Sequence, residues 1–237
     1  MPVALRLCGG GVAGMVIFMK ILLICDDFWH SGEAVRFGLN FLAEQGHTID
    51  TVYDAKDIVS PEYLSSHDVT IIAKGNSLTS ANHTAPWFEE GITYVDPTGY
   101  WKYVEEGGGM IFLHAGTTFH ADDCPAMSAL LGVEFKGHPP QCPVEFHVTN
   151  PDHPVMKGVC DFTFPQDEHY QIEITAKDLE VFAESKSAAG HFAAGLGREI
   201  GNGRVCVLTP GHNAFAINYP EFQKVINNAL DWVAKKV

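Results

Sequence analysis

The sequence predicts an α/β fold with a flavodoxin-like, three-layer core: a mostly parallel central sheet, helices on both of its faces and a few extra antiparallel strands. Two observations support this prediction. Short apolar runs alternate along the chain with amphipathic segments, which is typical of βα units. The apolar runs are also continuous, as expected for strands buried on both faces. With 237 residues, 46% of them hydrophobic, the chain is long enough for one such domain.

The N-terminal third of the chain contains two predicted strands with a helix between them. The first strand is KILLIC, from Lys20 to Cys25, and the second is contained in HDVTIIAKG, from His67 to Gly75. Between them lies GEAVRFGLNFLAEQGH, from Gly32 to His47, whose apolar residues recur at helical spacing. We predict a single helix here that ends at Gly46, since glycine commonly follows the last turn of a helix.

In the remainder of the chain, predicted helices and strands first alternate as before, and shorter strands then follow. A helix is predicted within residues 84–108, and it leads into the strand Met110 to Leu113. From Pro139 to about Ser187 the runs PVEFHV, HYQIEI and LEVFAES are short and alternating, which predicts antiparallel strands that decorate the sheet. GRVCVLTPGH, from Gly203 to His212, returns to a buried strand, and the segment from Pro220 closes the chain with a helix.

The first residues of the chain do not resemble part of the domain. Residues 1–19 hold an apolar run that glycines interrupt, which is too short to span a bilayer. A weak signal peptide is one interpretation of this segment. Because Met19 directly precedes the first strand, we favour the other, an N-terminal extension over 1–19 from an upstream translation start, with 20–237 as one domain. Because no other stretch approaches the ~20 apolar residues of a membrane helix, we expect a soluble, cytoplasmic protein with no membrane partner.

Charge and motif content exclude two kinds of partner. With 29 acidic and 15 basic residues the formal charge is −14, which repels the phosphates of nucleic acids and of anionic membranes. Gly107 to Gly109 form a glycine run, but the further glycines and the acidic residue of a dinucleotide-binding motif are missing. We therefore expect neither a nucleic-acid partner nor a nucleotide cofactor.

The cysteines predict a reducing compartment. They are scattered along the chain without a C-x-x-C pair, so we expect all of them to be free thiols. The six are Cys8, Cys25, Cys124, Cys142, Cys160 and Cys206.

Three histidines follow predicted strands closely. His30 lies shortly after the first strand, His114 directly after the strand that ends at Leu113, and His212 after the last strand. In open α/β sheets, ligands bind beyond the carboxyl ends of the strands, so we expect these three side chains to lie at one edge of the sheet. The wide spacing excludes a local zinc motif such as H-E-x-x-H.

A fourth group comes from the segment FPQDEHYQ. Asp167, Glu168 and His169 follow a proline turn, and two interpretations remain open for them. They form a solvated acidic loop, or Glu168 completes a His/His/carboxylate set for zinc or another first-row divalent ion. Without a metal, the same groups are suited to acid/base chemistry near neutral pH.

Four segments together resemble the ThuA-like, or trehalose-utilisation, family: FLHAG, GHPP, NPDHPVMKGVCDFTFPQDEHYQ and GNGRVCVLTPGHNAFAINYPEFQKVINNALDWVA. The resemblance runs from about Lys20 to Ala234. That family is similar in fold to the class I glutamine amidotransferases, whose active members carry a cysteine nucleophile in a G-x-C-x-G corner. Here the corner reads Phe112-Leu113-His114-Ala115-Gly116, with histidine in place of cysteine. Without a thiolate at this corner no γ-glutamyl thioester can form, so glutaminase activity is excluded.

The resemblance implies a role in sugar metabolism, on trehalose, a related disaccharide or a 3-keto sugar. Such chemistry needs a polarised carbonyl and a group that moves a proton, which a histidine-bound divalent ion and a carboxylate or imidazole can provide. The residues assigned in this way are His114, Glu168 and His212 as metal ligands; His30, Glu168 and His169 as catalytic acids or bases; and Trp29, His138 and Tyr170 as substrate contacts.

Two classes of function remain open. The first is a metal-dependent lyase, isomerase or hydrolase that acts on a small carbohydrate, and the second is a non-catalytic carbohydrate-binding or regulatory protein on the same fold. The several histidines at one edge favour the enzyme, because sugar binding alone relies on aromatic rings and hydrogen bonds. The sequence leaves open whether the protein forms a homo-oligomer.

Overall fold

The computed structural model of the protein describes residues 18–53, 60–75, 97–122 and 124–237. The strands of this part of the chain are β1 Lys20–Cys25, β2 Thr48–Tyr53, β3 Val69–Ala73, β4 Gly109–Leu113, β5 Val133–Gly137, β6 Cys142–Val148, β7 Phe162–Asp167, β8 Gln171–Ile174, β9 Glu180–Ser187, β10 Gly190–Ile200 and β11 Gly203–Leu208. The helices are α1 Gly32–Gly38, α2 Asn40–Glu44, α3 Pro61–Ser65, α4 Pro97–Glu105, α5 Pro125–Leu131, α6 Ala214–Ile217 and α7 Pro220–Val233, with 3-10 turns at His114–Thr117 and Pro154–Met156.

The main sheet has nine strands in the order β2-β1-β3-β4-β11-β10-β9-β6-β7. Its first five strands are parallel, and their order corresponds to the 2-1-3-4-5 order of flavodoxin-like doubly wound sheets. The other four strands extend the sheet by antiparallel pairing. β5 and β8 form a separate antiparallel pair. The predicted α/β class, with a parallel core and added antiparallel strands, is confirmed.

Two hydrophobic cores cover the two faces of the sheet. Along β1, Ile21 and Leu23 belong to one core while Leu22 and Ile24 belong to the other, because successive side chains of a strand point to opposite faces. Residues of α1, α2, α6 and α7 pack in the first core, and residues of α3, α4 and α5 in the second. The continuous apolar runs are thus strands with helices on both faces.

The first predicted helix is divided in two. α1 ends at Gly38 and α2 begins at Asn40, and the amide of Leu42 donates to the carbonyl of Leu39 in a tight 3-10 turn between them. Gly38 packs so closely against α6 that an added Cβ would lie 2.8 Å from the Cβ of Ile217.

The predicted helix within residues 84–108 is observed as α4, and residues 84–96 lie outside the described part of the chain.

The antiparallel region contains a long strand that the sequence pattern concealed. β10 carries glycines at positions 195 and 197, which resemble turn signals. In the structure they make room for aromatic rings: a Cβ on Gly195 would overlap the ring of Phe182, and one on Gly197 would lie 2.7 Å from the ring of Trp232. The glycines are therefore required by packing within the strand and not by a turn.

The cysteines differ in part from the expectation. Cys25, Cys124, Cys142 and Cys206 are free, but Cys160 is disulfide-bonded. The expectation that all cysteines are free thiols is therefore wrong for Cys160. Scattered spacing could not reveal this bond, because disulfide pairing is decided by distances in the folded chain.

The N-terminal extension lies almost entirely outside the described part of the chain. Met19 belongs to the fold, since it is buried and its amide hydrogen-bonds to Nδ1 of His47 at 3.1 Å. Among the helices that the structure describes, none has the length and apolar character needed to cross a bilayer.

We expect Gly116→Ala to be destabilising. Gly116 lies in the 3-10 turn after β4, where an added Cβ would overlap the carbonyl oxygen of Ile72. Relieving that overlap requires the backbone of β3 or of the turn to move, which costs about 1–3 kcal/mol or more in well-packed sites. Urea unfolding measures the change. Gly99→Ala is the matched control, because a Cβ there meets Pro61 only at 3.5 Å within a helix, and we expect it to be neutral or stabilising.

Candidate functional site

Four side chains converge at the carboxyl edge of the parallel strands. His30, His114, Glu168 and His212 each offer one potential ligand atom, and these atoms all lie within 4.8 Å of one another. The three histidines follow β1, β4 and β11, and Glu168 lies between β7 and β8. The structure therefore brings together the three predicted metal ligands and also His30, which the sequence assigned to acid/base chemistry.

His114 occupies a strained corner directly after β4. Its φ of 43° lies in the left-handed region, which non-glycine residues rarely adopt. The buried ring lies 2.8 Å from the carbonyl of Thr209 through Nδ1, so Nδ1 carries the proton and donates while Nε2 keeps its lone pair. Burial lowers the pKa of His114 to about 4. The imidazole is therefore neutral near pH 7 and presents an available lone pair.

His30 is oriented by a buried carboxylate. Asp27 accepts hydrogen bonds from the backbone amides of His30 at 2.7 Å and Gly75 at 2.6 Å, and its Oδ1 lies 2.9 Å from Nδ1 of His30. Burial acts to raise the pKa of Asp27, but the bond with His30 and the amide donors lower it overall. An ionised Asp27 holds the proton of His30 on Nδ1, which leaves the lone pair on Nε2.

A second buried carboxylate positions the loop that carries His212. Asp167 is fully buried and accepts hydrogen bonds from the amides of Gly211 at 2.8 Å and His212 at 2.9 Å. Burial raises the pKa of Asp167 to about 6, against the lowering effect of these amides. The interpretation of this segment as a solvated acidic loop is thus wrong for Asp167, which supports the His212 backbone.

Glu168 lies between two histidines without forming regular hydrogen bonds to them. Its Oε2 is 3.0 Å from Nδ1 of His212 and 3.4 Å from Nε2 of His114. Both nitrogens are buried, yet among the described residues neither has a partner with hydrogen-bonding geometry. The three groups therefore lie close together without pairing through regular hydrogen bonds. Ligand atoms around a tetrahedral zinc ion are about 3.3 Å apart, since each lies about 2.0 Å from the metal.

The charge of Glu168 suits a cation, whereas His212 has to lose a proton before it can bind one. Although burial acts to raise it, the two histidines hold the pKa of Glu168 well below its usual range. For His212, burial acts to lower the pKa, but the Glu168 carboxylate raises it overall. Glu168 is thus ionised, and it supplies the negative charge that a divalent ion requires.

His138 and Tyr170 line one side of the cluster. The Tyr170 ring packs on the His114 ring with centroids 3.9 Å apart. The His138 ring also stacks on the Tyr170 ring, with centroids 5.5 Å apart. Nε2 of His138 lies 3.5 Å from Oε2 of Glu168, and its side chain is 34% exposed. Both predicted substrate contacts therefore lie beside the four converging groups, and His138 connects them with solvent.

The two remaining predicted site residues make their contacts with groups outside the cluster. His169 contacts the hydroxyls of Ser187 at 2.6 Å and Ser185 at 3.0 Å, on β9, so nothing in its contacts supports the predicted catalytic role. Trp29 is 78% exposed and packs edge-on against Phe28. Its amide donates to Asp27, which keeps it at the rim next to His30.

Sequence reasoning missed the groups that orient the ligands. From the sequence, Asp27 is assigned no role, and Asp167 is included only as part of an acidic loop. A carboxylate that directly follows a buried strand is a signal that could have indicated Asp27. The carbonyl of Thr209 carries no signal in the sequence, because every residue offers one.

One family model matches most of the chain, and solved structures resemble its fold. The sequence model of the family described as ThuA, trehalose utilisation, matches residues 26–233. A ThuA-like protein from Parabacteroides merdae has a similar structure, with a TM-score of 0.72 and 16% identity over 93% of this chain and 91% of that chain. A ThuA-like protein from Bacteroides uniformis has a TM-score of 0.70 and 24% identity over 94% of this chain and 95% of that chain.

A cytoplasmic protein from Salmonella typhimurium has a TM-score of 0.66 and 16% identity over 90% of this chain and 98% of that chain. No curated protein matches the chain. At these identities the structural likeness shows the fold alone.

Proposed function

Because the chain belongs to the ThuA, or trehalose-utilisation, family, we propose that it binds a divalent metal ion and acts on a sugar or keto sugar by metal-assisted acid/base chemistry. One observation carries the proposal: ligand atoms of His30, His114, Glu168 and His212 converge within 4.8 Å. In the part of the chain that the structure describes, two of these histidine nitrogens are buried without a hydrogen-bonding partner, which is costly unless something binds them.

The donor set fits a first-row divalent ion. Three imidazoles and one carboxylate are ligands that zinc and the other first-row divalent ions accept. Asp27 and the carbonyl of Thr209 fix the tautomers of His30 and His114, as hydrogen-bond partners commonly do for metal-binding histidines. The lone pairs are therefore oriented before any ion binds.

The protein groups around the cluster define how a substrate would react. The bound ion would supply Lewis-acid polarisation of a substrate carbonyl. The carboxylate of Glu168 is ionised, and its lowered pKa makes it a better ligand for the ion than a base. His138 lies 3.5 Å from that carboxylate and is partly exposed, so it is suited to transfer a proton between a bound substrate and solvent. The buried rings of Tyr170 and His114 limit the access of water from their side.

Metal analysis of protein purified without a histidine tag tests the proposal. We expect about one first-row divalent ion per chain, and calorimetric titration of metal-stripped protein should return the same stoichiometry. Turnover is then measured with trehalose and with oxidised, 3-keto disaccharides. If calorimetry detects no divalent ion binding, the metal-assisted mechanism is wrong and a metal-free histidine site replaces it.

A non-catalytic carbohydrate-binding role is the second candidate. The observation in its favour is Trp29, whose exposed ring lies next to His30 at the rim and could stack on a sugar. Sugar binding without turnover, and with no dependence on metal, would favour this role over the enzyme.

A cytoplasmic location is part of the proposal, in keeping with the Salmonella protein described as cytoplasmic. The disulfide at Cys160 is the observation against it, since disulfides are rare in reducing compartments. Thiol titration of protein isolated under alkylating conditions measures the state of Cys160 in the cell, and an oxidised Cys160 would contradict this location.

Alkylation of the exposed thiols should leave metal binding and any sugar-directed activity unchanged, and the protein should not hydrolyse glutamine. His114 occupies the corner that would hold a nucleophilic cysteine. Cys25 and Cys206 are buried, which raises the pKa of both thiols far above the usual value and leaves them unreactive. Treatment with iodoacetamide followed by activity and ammonia-release assays tests this. A glutaminase rate that iodoacetamide abolishes would contradict it.

A further inference from the structure

Tyr170 carries a buried hydroxyl on a ring that packs against three other rings. Its ring lies against His114 at 3.9 Å and Phe135 at 4.5 Å, with His138 stacked at 5.5 Å, and the residue is 2% exposed. The neighbouring residue His169 is fixed by two serine hydroxyls of β9. The position of the phenol ring therefore does not depend on what its hydroxyl binds.

The hydroxyl of Tyr170 meets the atom of His30 that faces the cluster. The Tyr170 oxygen lies 3.3 Å from Nε2 of His30. Because Nδ1 of His30 is protonated and donates to Asp27, Nε2 is the acceptor, and Tyr170 donates to it. The same lone pair is the only one that His30 can offer to a metal ion, so one lone pair has two competing uses.

We infer that a bound divalent ion takes this lone pair and releases the hydroxyl of Tyr170, which then donates a hydrogen bond to a carbonyl or hydroxyl oxygen of the substrate. The inference rests on the proposed function, because it assumes that an ion occupies the cluster. A buried hydroxyl that loses its acceptor is unfavourable until another acceptor arrives. The metal-loaded site should thus select ligands with an oxygen atom beside the ion, such as the hydroxyketone unit of an oxidised sugar.

The arrangement also predicts an order of binding. In the metal-free protein Tyr170 is already paired with His30, so an oxygen ligand gains little from it. In the loaded protein the unpaired hydroxyl favours the ligand, which couples metal occupancy to substrate affinity. Tyr170 would then contact the substrate directly, as a donor that is available only in the loaded state.

Zinc titration followed by near-UV difference spectroscopy tests the release of the hydroxyl, since zinc itself does not absorb there. We expect a tyrosine difference signal when zinc binds the wild-type protein, and we expect Tyr170→Phe to remove it. Zinc affinity in Tyr170→Phe should stay within about 3-fold of wild type or become tighter, because the variant keeps the ring and loses only the competing hydroxyl. Tyr103→Phe is the matched control: it also removes a buried hydroxyl, but one that donates to Gly109 at the other end of β4.

The second measurement uses acetohydroxamate, a small ligand with two adjacent oxygens, on the zinc-loaded protein. We expect calorimetry to show about 10-fold weaker binding to Tyr170→Phe than to wild type or to Tyr103→Phe, as for the loss of one hydrogen bond. In metal-free protein, the variant and wild type should not differ.

The outcomes separate this inference from the proposed function. If wild-type protein binds no zinc, both are wrong. If zinc binds but the tyrosine signal is the same in Tyr170→Phe, or acetohydroxamate binds both proteins equally, only the inference is overturned. A loss of zinc affinity beyond about 10-fold in Tyr170→Phe also overturns it, because the hydroxyl or ring would then help to hold the ion and would not be released by it.

Discussion

Replacing His114 with alanine is expected to lower the affinity for a divalent metal ion by about 100-fold or more, because loss of a ligand should exceed the 10–100-fold effect of losing a ligand's hydrogen-bond partner. Nε2 of His114 is buried, carries a lone pair and lies 3.4 Å from the ionised Glu168. Glu168→Gln should have a similar effect, since it removes the one negative charge among the converging ligand atoms. Calorimetric titration of metal-stripped protein with zinc measures both.

Fold stability should change much less than metal affinity in these variants. An open site on a preformed α/β scaffold does not hold the core together as a structural zinc does. His147→Ala and Glu145→Gln are matched controls, because that histidine and carboxylate also pair at 3.0 Å but lie exposed on β6. If His114→Ala binds zinc as tightly as His147→Ala does, the assignment of His114 as a ligand is wrong.

Asp167→Asn should impair both stability and metal binding. The carboxylate accepts the amides of Gly211 and His212, and an asparagine places an N–H group against one of these donors. Leaving a buried amide unpaired costs about 1–3 kcal/mol, which urea unfolding would detect. Because the same amides position the His212 loop, we also expect zinc affinity to fall about 10-fold to 100-fold, the usual effect of removing support from a ligand.

Asp152→Asn is the control for this substitution, since Asp152 is exposed in a turn and should tolerate the change. If Asp167→Asn has normal stability but reduced zinc affinity, the carboxylate acts on the metal site through its charge and not by supporting the backbone. Normal values for both would show that the His212 loop keeps its position without Asp167.

Much of the fold could be predicted because local hydrophobic patterns in the sequence determine its strands and helices. KILLIC and GRVCVL are strands with the predicted character, since a strand buried on both faces needs a continuous apolar run. β10 was missed because its glycines serve the rings of Phe182 and Trp232, which are distant in sequence. The division of the first helix likewise depends on α6, which packs against Gly38.

The candidate site, too, could be predicted from the sequence only in part. The histidines could be assigned to one edge because each follows a strand, and the carboxyl ends of parallel strands meet at the same edge. Glu168 could be included only as one of two interpretations, since it lies outside the parallel strands. Its contact with His114 and His212 depends on where the connection between β7 and β8 lies in the folded chain.

The sequence by itself determined the α/β class, the two-sided core and the placement of His30, His114 and His212 after strands, because periodicity and strand direction are local properties. Only the tertiary structure decided which lone pairs face the cluster. That choice is made by Asp27 and the carbonyl of Thr209, which hold the protons of His30 and His114 on the opposite nitrogens. Such partners are selected by distances of a few ångströms in the folded chain, and a histidine's position in the sequence carries no record of which nitrogen is protonated.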